Sequence, residues 1–312
     1  MIQRGLRIVF MGTPDFAVPS LEILADAGYE IAAVITSPDK PGGRGMKQIM
    51  VSPVKTFALS RGFNILQPVN LKSAVFLKEL KSLNADLQVV VAFRMLPEAV
   101  WNMPRLGTIN LHGSLLPAYR GAAPIQWAII RGETKTGLTT FRLQHEIDEG
   151  NVLRQIAIPI LENDNAGLLH DRMMNAGSGL VLGSVDLIQM NTAIFKSQDD
   201  LKASFAPKIH HEDGHIDWQK KIVEIHNLVR GMSPFPGAWS ILDDIEWKIL
   251  KSAPYSQQKN RVPGVLIWEN KKLIAQAQDG ELEILEVQMA GKRKMSATDF
   301  MNGYKIKNWN MT

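Results

Sequence analysis

Residues 6–36 read LRIVFMGTPDFAVPSLEILADAGYEIAAVIT: an apolar run, a turn, a helical pattern and a second apolar run. The helical pattern covers residues 17–27, and the second run covers residues 30–36. Further apolar runs at 87–93 and 108–112 each follow a segment with helical spacing. Strands that are apolar on both faces and alternate with amphipathic helices are typical of a parallel sheet that helices cover on both sides. The sequence therefore predicts an α/β domain with a parallel sheet.

The turn after the first predicted strand has a single glycine, Gly12. A dinucleotide site at this place needs Gly-x-Gly-x-x-Gly, because the glycines let a helix N-terminus approach a pyrophosphate. The sequence contains neither that pattern nor a Gly-x-x-x-x-Gly-Lys-Ser/Thr loop nor a Gly-x-Ser-x-Gly elbow. These absences disfavour a dinucleotide cofactor and a serine hydrolase.

The pattern changes in the second half of the chain. Short apolar runs over 264–268, 272–277 and 282–288 are separated by turn residues. Short strands at such spacing predict a small β-barrel or sandwich. We therefore predict two domains, residues 1–206 and residues 207–312.

The composition is that of an ordinary globular protein of 312 residues, with 45% hydrophobic and 21% charged residues. The sequence has no cysteine, which rules out disulfides, thiolate metal sites and a cysteine nucleophile. It has no apolar run long enough to span a membrane. The net charge of +4 permits a polyanionic partner without requiring one. We expect a cytoplasmic protein, or one in an equivalent reducing compartment such as an organelle matrix after processing.

The densest group of polar residues follows the predicted strand at 108–112. Asn110 and His112 are two residues apart, so their side chains point to the same face of a strand. Ligands of open parallel sheets bind beyond the carboxyl ends of the strands. An amide beside an imidazole could polarise a carbonyl and transfer protons. Alternatively, His112 caps a turn and Asn110 bonds the neighbouring backbone, and the spacing leaves both interpretations open.

A carboxylate later in the chain could complete this group. Asp148, in the stretch Glu146-Ile147-Asp148-Glu149-Gly150, could hydrogen-bond His112 and fix its tautomer. The same stretch could equally be a solvated acidic turn. No pattern of histidines and acids has the spacing of metal ligands, so we expect no metal.

A second candidate for binding is the glycine-rich segment over residues 39–47, DKPGGRGMK, which carries three cations. Cations on such a loop could bind phosphates. The alternative is an ordinary solvated surface loop.

Short motifs with a specific combined signature are spread over nearly the whole chain. They are FMGTPDF (10–16), PGGRG (41–45), SPVK (52–55), NLHGSLLP (110–117), YRGAAPIQ (119–126), TG (136–137), RGMSPFPGAW (230–239) and MSATDF (295–300). Together these motifs resemble the methionyl-tRNA formyltransferase family.

The resemblance implies transfer of a formyl group from 10-formyltetrahydrofolate to the amine of methionine on initiator methionyl-tRNA. It implies a Rossmann-like catalytic domain joined to a C-terminal β-barrel that is similar to an OB fold and binds tRNA. Asn110, His112 and Asp148 fall on the family's catalytic positions. Amine attack on a formamide carbon develops negative charge on oxygen, to which Asn110 and a protonated His112 can donate. Asp148 would keep His112 cationic and relay the amine's proton, and no metal is needed.

The resemblance also implies binding residues. Phe16 falls where the family lines the pocket for the methionine side chain, and Lys40 and Arg44 fall in the loop that engages the acceptor end of the tRNA. Arg94 stands where a glycine is common in the family. The residues that fall on the folate-binding segments are Phe93, Arg94, Met95, Leu96, Ser114, Leu115, Leu116 and Pro117.

Two alternative functions remain open on the sequence alone. One is a related formyl transfer to a sugar amine or a purine precursor, against which the basic loop and the C-terminal barrel favour tRNA. The other is a non-enzymatic binder of tRNA or single strands, which would not need Asn110, His112 and Asp148 together. We expect a monomer whose partners are initiator methionyl-tRNA and folate, without a membrane.

Overall fold

The structure is a computed structural model that describes residues 5–42, 48–258 and 260–312. The chain divides into two compact units. The first unit comprises Met1–Gly121, Gly137–Ile158 and Asp171–Phe205, and the second comprises Ala122–Thr136, Pro159–His170 and Ala206–Thr312.

Strands and helices alternate through the first half of the chain, as the apolar runs predict. Up to residue 189 the elements are β1 (Arg7–Gly12), α1 (Val18–Asp26), β2 (Glu30–Ile35), β3 (Lys40–Gly42), β4 (Gln48–Met50), α2 (Pro53–Ser60), β5 (Ile65–Leu66), α3 (Ala74–Ser82), β6 (Leu87–Val91), α4 (Glu98–Trp101), β7 (Thr108–His112), α5 (Pro124–Ile130), β8 (Lys135–Arg142), β9 (Val152–Pro159) and α6 (Ala166–Gln189). They are followed by α7 (Ile222–Met232), β10 (Ala238–Leu242), β11 (Ile245–Ser256), β12 (Leu266–Glu269), β13 (Lys272–Gln276), β14 (Glu281–Met289), β15 (Met295–Ser296) and α8 (Ala297–Gly303).

The sheet of the first unit has the order β5-β2-β1-β6-β7-β8-β9. The pairs β2–β5, β1–β2, β1–β6 and β6–β7 are parallel, which is the Rossmann-like arrangement. The prediction of a parallel sheet is wrong at β8, because β8 runs antiparallel to β7. The helix between them, α5, packs against α7 in the second unit instead of crossing the sheet. The strand β8 therefore starts beside the carboxyl end of β7.

Burial explains why the central strands β1 and β6 are mostly apolar. All five residues of β6 are buried, and a core on one face includes Val9, Met11, Ile35 and Val90. The strand β1 lies between β2 and β6, so the order reverses there and the carboxyl ends of β1 and β6 border the crevice where ligands of such sheets bind.

The second unit contains an antiparallel sheet in the order β10-β11-β14-β13-β12, with β15 beside β14. Its core is centred on Trp247, whose ring meets Phe300 edge-on at 4.1 Å between centroids. The last residues bond both edge strands: Thr312 exchanges two backbone hydrogen bonds with Ile241 of β10, and the carbonyl of Trp309 accepts from the amide of Leu266 in β12.

Within the described ranges, no helix combines the length and the apolar character that a membrane crossing requires.

Candidate active site

The predicted catalytic pair lies at the carboxyl end of β7. Asn110 is opposite Val90 of β6 and Phe141 of β8, and His112 is opposite Thr139 of β8. Asn110 is half-buried, and among the described residues no hydrogen bond engages its side-chain amide. This amide is therefore available to a bound molecule, whereas the sequence alternative of a bond to neighbouring backbone is not realised.

The imidazole of His112 is held from both sides and is only 7% exposed. Its Nε2 is 2.9 Å from the carbonyl oxygen of Tyr119, and its Nδ1 is 3.6 Å from Oδ2 of Asp148. The second distance is too long for a hydrogen bond and within the range of an ion pair. Nε2 is close enough to donate to the carbonyl of Tyr119, and the carboxylate of Asp148 faces the other ring nitrogen. The structure thus brings Asp148 to His112, as an ion-pair partner.

The conformation of the acidic turn explains its sequence. Asp148 has φ of +57°, in the left-handed region that aspartate tolerates better than most residues. Its Oδ2 accepts a hydrogen bond of 2.8 Å from the backbone amide of Gly121. A Cβ on Gly150 would overlap the carbonyl oxygen of Arg142, so only glycine fits there. The Asp-x-Gly pattern is therefore the signature of this turn.

Two further residues fasten this turn, and neither had a role in the sequence analysis. Arg120, which is 3% exposed, pairs with Glu149 at 3.0 Å and with Asp200 at 2.7 Å. Gln198 donates from Nε2 to the carbonyl oxygens of Asp148 at 2.7 Å and Gly150 at 2.8 Å. Spacing cannot indicate Gln198, because it lies in an irregular segment some fifty residues beyond the turn that it contacts.

The predicted folate segment 114–117 follows β7 directly. The hydroxyl of Ser114, which is fully buried, donates to the carbonyl of Ala118 at 2.5 Å, so Ser114 shapes the turn. Thr139 donates to the carbonyl of Ser114 and accepts from the amide of Leu116. Gln155 donates to the carbonyl of Leu116 at 2.8 Å. Of this segment, Leu116 is buried, whereas Leu115 and Pro117 are half-buried.

The other predicted folate segment, Phe93–Leu96, follows β6, so both segments begin at the same sheet edge. Leu96 belongs to the core, Phe93 packs against it, and Met95 is 73% exposed. The guanidinium of Arg94 donates to the backbone carbonyls of Val69, at 2.9 Å, and Pro68. Burial lowers the pKa of Arg94 from its ordinary value, and an arginine remains cationic at neutral pH nonetheless.

The predicted tRNA residues have different outcomes. Phe16 lies in a 3₁₀ turn just after β1 and is 7% exposed. Lys40 is exposed in β3, and no described contact joins it to the group around His112. Arg44 lies outside the described residues. Asp39, which precedes β3, accepts from Lys55 at 2.5 Å and from Gln67 at 2.9 Å.

No group of three or more histidine, aspartate or glutamate residues in the described part of the chain could hold a metal ion.

Residues 6–184 match the family model described as formyl transferase, and residues 208–305 match the model of the formyl transferase C-terminal domain. The chain therefore belongs to the formyl transferase family. Within that family, it is similar along nearly its whole length to proteins named methionyl-tRNA formyltransferase. The relative from Parabacteroides distasonis is 48% identical over 318 residues, and the relative from Bacteroides thetaiotaomicron is 46% identical over 316 residues. Each alignment covers 98% of this chain and 98% of the relative.

A solved structure shares the fold. The N-formyltransferase from Helicobacter canadensis, in complex with folinic acid and dTDP-3-aminofucose, aligns with a TM-score of 0.69 at 22% identity. The alignment covers 91% of this chain and 100% of that chain.

Proposed function

We propose that this protein transfers the formyl group of 10-formyltetrahydrofolate to the amino group of methionine on initiator methionyl-tRNA, which gives N-formylmethionyl-tRNA for translation initiation. The full-length similarity to methionyl-tRNA formyltransferases supports the choice of substrates. The observation that carries the chemistry is the free amide of Asn110 beside the His112–Asp148 pair at the carboxyl end of β7.

The residues of the site fit the bond changes and the proton transfer of this reaction. The methionine nitrogen forms a bond to the formyl carbon, the bond from that carbon to the folate nitrogen breaks, and a proton passes from the amine to the folate nitrogen. Asn110 donates to the formyl oxygen as negative charge develops there. Asp148 faces the imidazole of His112 at 3.6 Å and, directly or through water, relays the proton. In this proposal the imidazole of His112 is the second donor to the formyl oxygen.

The two segments at the ends of β6 and β7 fit a folate as co-substrate. Half-buried Phe93 and Leu115 offer apolar walls to a planar pterin, and the segments start from adjacent strands at one edge. In this proposal Phe93–Leu96 and Ser114–Pro117 bind the folate. Most of their contact is made by backbone and apolar atoms, since the Ser114 hydroxyl is already bonded to Ala118.

Phe16, Lys40 and Arg44 bind the aminoacyl end of the tRNA in this proposal, with residues 207–312 as a tRNA-binding domain. We infer that this domain is an OB-like barrel, because its last residues bond both edge strands, β10 and β12, of the antiparallel sheet. Such barrels bind nucleic-acid strands on an open face.

The test is transfer of labelled formyl from 10-formyltetrahydrofolate to methionyl initiator tRNA. Free methionine and a dTDP-amino sugar serve as parallel acceptors. We expect efficient transfer to the charged tRNA alone. Equal or better transfer to the amino sugar would overturn the proposed substrate while leaving the reaction class intact.

The role of Arg44 has its own test. A planar fork of donors binds phosphates in a way that lysine cannot copy, so Arg44→Ala and Arg44→Lys should both lower kcat/KM for methionyl-tRNA by roughly tenfold or more. The affinity for 10-formyltetrahydrofolate, measured by calorimetry, should stay unchanged. An unaltered kcat/KM for tRNA, or a loss confined to folate affinity, would remove Arg44 from the tRNA site.

A further inference from the structure

The conformation of the acidic turn, residues 146–150, must be stabilised by contacts from outside the turn. Asp148 occupies the left-handed region, and its carboxylate reaches His112 only at 3.6 Å, so a small shift of the turn would lengthen the ion pair. Positive φ at a non-glycine residue costs free energy and persists where the surroundings enforce it. One bond from Gly121 to the carboxylate fixes the side chain but not the turn's own carbonyls.

The turn's carbonyls are held by Gln198. Its Nε2 donates to the carbonyl oxygens of Asp148, at 2.7 Å, and Gly150, at 2.8 Å, which flank the middle of the turn. The segment that carries Gln198 is itself fastened on both sides. Lys196 exchanges two backbone hydrogen bonds with Val152, and the carbonyl of Ser204 accepts from the amide of Arg120.

The orientation of the Gln198 amide follows from Arg120. Oε1 of Gln198 accepts from Nη2 of Arg120 at 2.9 Å and from Nε at 3.2 Å. Arginine only donates, so the amide oxygen must face it and the NH₂ group must face the carbonyls. Arg120 is fixed in turn by Glu149 and Asp200. A glutamate at position 198 would keep the acceptor for Arg120 and set a carboxylate oxygen against two carbonyl oxygens.

We propose that Gln198 is a positioning residue for the formyl transfer: oriented by Arg120, it clamps the 148–150 turn so that the carboxylate of Asp148 stays against His112. This inference rests on the proposed function for its kinetic effect. Neither Gln198 nor Arg120 touches a reacting atom in this proposal, because each acts through the turn.

The kinetic experiment uses the isosteric Gln198→Glu variant beside Gln198→Ala. We expect kcat to fall by roughly tenfold in both, since a displaced catalytic group loses rate steeply, with KM for tRNA and folate changed by less than about twofold. In the Asp148→Asn background, Gln198→Glu should cause no further loss, because it acts only through Asp148. Gln144→Ala, at an exposed glutamine of the first unit, is the matched control and should behave as the parent.

A second readout does not depend on activity. The ¹⁵N chemical shifts of the His112 ring, assigned by their loss in His112→Ala, should move in Gln198→Glu toward those of Asp148→Asn. Unchanged ring shifts, or losses of kcat that simply add to that of Asp148→Asn, would overturn the positioning role. If the parent itself fails to formylate methionyl-tRNA, the proposed function fails, and the ring shifts still decide whether Gln198 holds the turn.

Discussion

The turns that follow β7 and β6 begin at the same sheet edge, and they differ in the contacts that hold them. After β7, His112 and the acidic turn that faces it are tied to Tyr119, Gly121 and Gln198, which come from two stretches of the chain. After β6, Arg94 bonds two carbonyls of a neighbouring loop, and the adjoining Met95 is exposed. Hydrogen bonds from several residues fix His112 and the acidic turn, whereas the turn after β6 is held by the packing of Phe93 and Leu96 and by the hydrogen bonds of Arg94.

This difference matches what each region is proposed to do. Charges and donors that act on a transition state must be held within fractions of an ångström. A surface that binds a flat co-substrate tolerates adjustment, because apolar contact depends less on angle than a hydrogen bond does. Substitutions at His112 and in the acidic turn should therefore affect kcat, and substitutions in the turn after β6 should affect KM for folate.

The largest effect is expected at β7 itself. Asn110→Ala and His112→Ala should each lower kcat by at least about 10²-fold, the scale expected for a lost transition-state donor. Both residues lie in the half of β7 that leads to its carboxyl end, and in the described part of the chain the Asn110 side chain makes no hydrogen bond, so the fold should persist. Steady-state kinetics and thermal unfolding check this expectation.

Matched controls are Asn102→Ala and His145→Ala, since Asn102 is exposed and the His145 side chain is 82% exposed. Both should keep the parent's kcat. If folded Asn110→Ala or His112→Ala turns over as fast as the controls, the contrast between the two turns has no catalytic basis.

The sequence predicts those elements of the fold that a local pattern of apolar residues specifies. The bounds of β7 agree with the run at 108–112, in which Ile109 and Leu111 form an apolar face and the polar residues, Asn110 and His112 among them, form the other. The antiparallel direction of β8 was not predictable, because a strand's pattern does not show its direction. The sequence does not predict strands β10 and β11. The register of β11 against β14 is irregular, and this interrupts the alternation of buried and exposed residues along β11.

In the candidate site, the sequence predicts those residues that a short local motif marks. Asn110 and His112 stand out by their spacing, and Asp148 stands out by the glycine that its turn requires. Gln198 could not be predicted, because its function depends on a contact between distant parts of the chain. Arg94 stands out as a departure from the family, and only the structure shows that it bonds the carbonyls of Pro68 and Val69.

A smaller effect is expected from Gly150→Ala, which tests how tightly the acidic turn is determined. The new Cβ would overlap the carbonyl oxygen of Arg142, so the turn must move and carry Asp148 away from His112. We expect kcat to fall by roughly tenfold and the Tm to fall by several degrees. Gly179→Ala is the control, because a Cβ there meets nothing within 4 Å. A Gly150→Ala enzyme with the control's kcat and Tm would mean that the acidic turn is no more constrained than the turn after β6.

The smallest effect is expected from Arg94→Gly, which removes the side chain whose hydrogen bonds join the turn after β6 to residues 68 and 69. The variant loses the bonds to Pro68 and Val69 and gains backbone freedom at position 94, so folate must order a looser turn on binding. We expect KM for 10-formyltetrahydrofolate to rise by roughly threefold with kcat within about twofold of the parent, because no donor to the reacting atoms is touched. Arg105→Gly, at an arginine whose side chain is 67% exposed, should leave both parameters unchanged. Kinetics with varied folate and calorimetry of folate binding measure the effect. A loss of kcat as large as that of Gly150→Ala would show that the turn after β6 also positions the reacting groups, whereas an unchanged KM would show that Arg94 does not shape the folate surface.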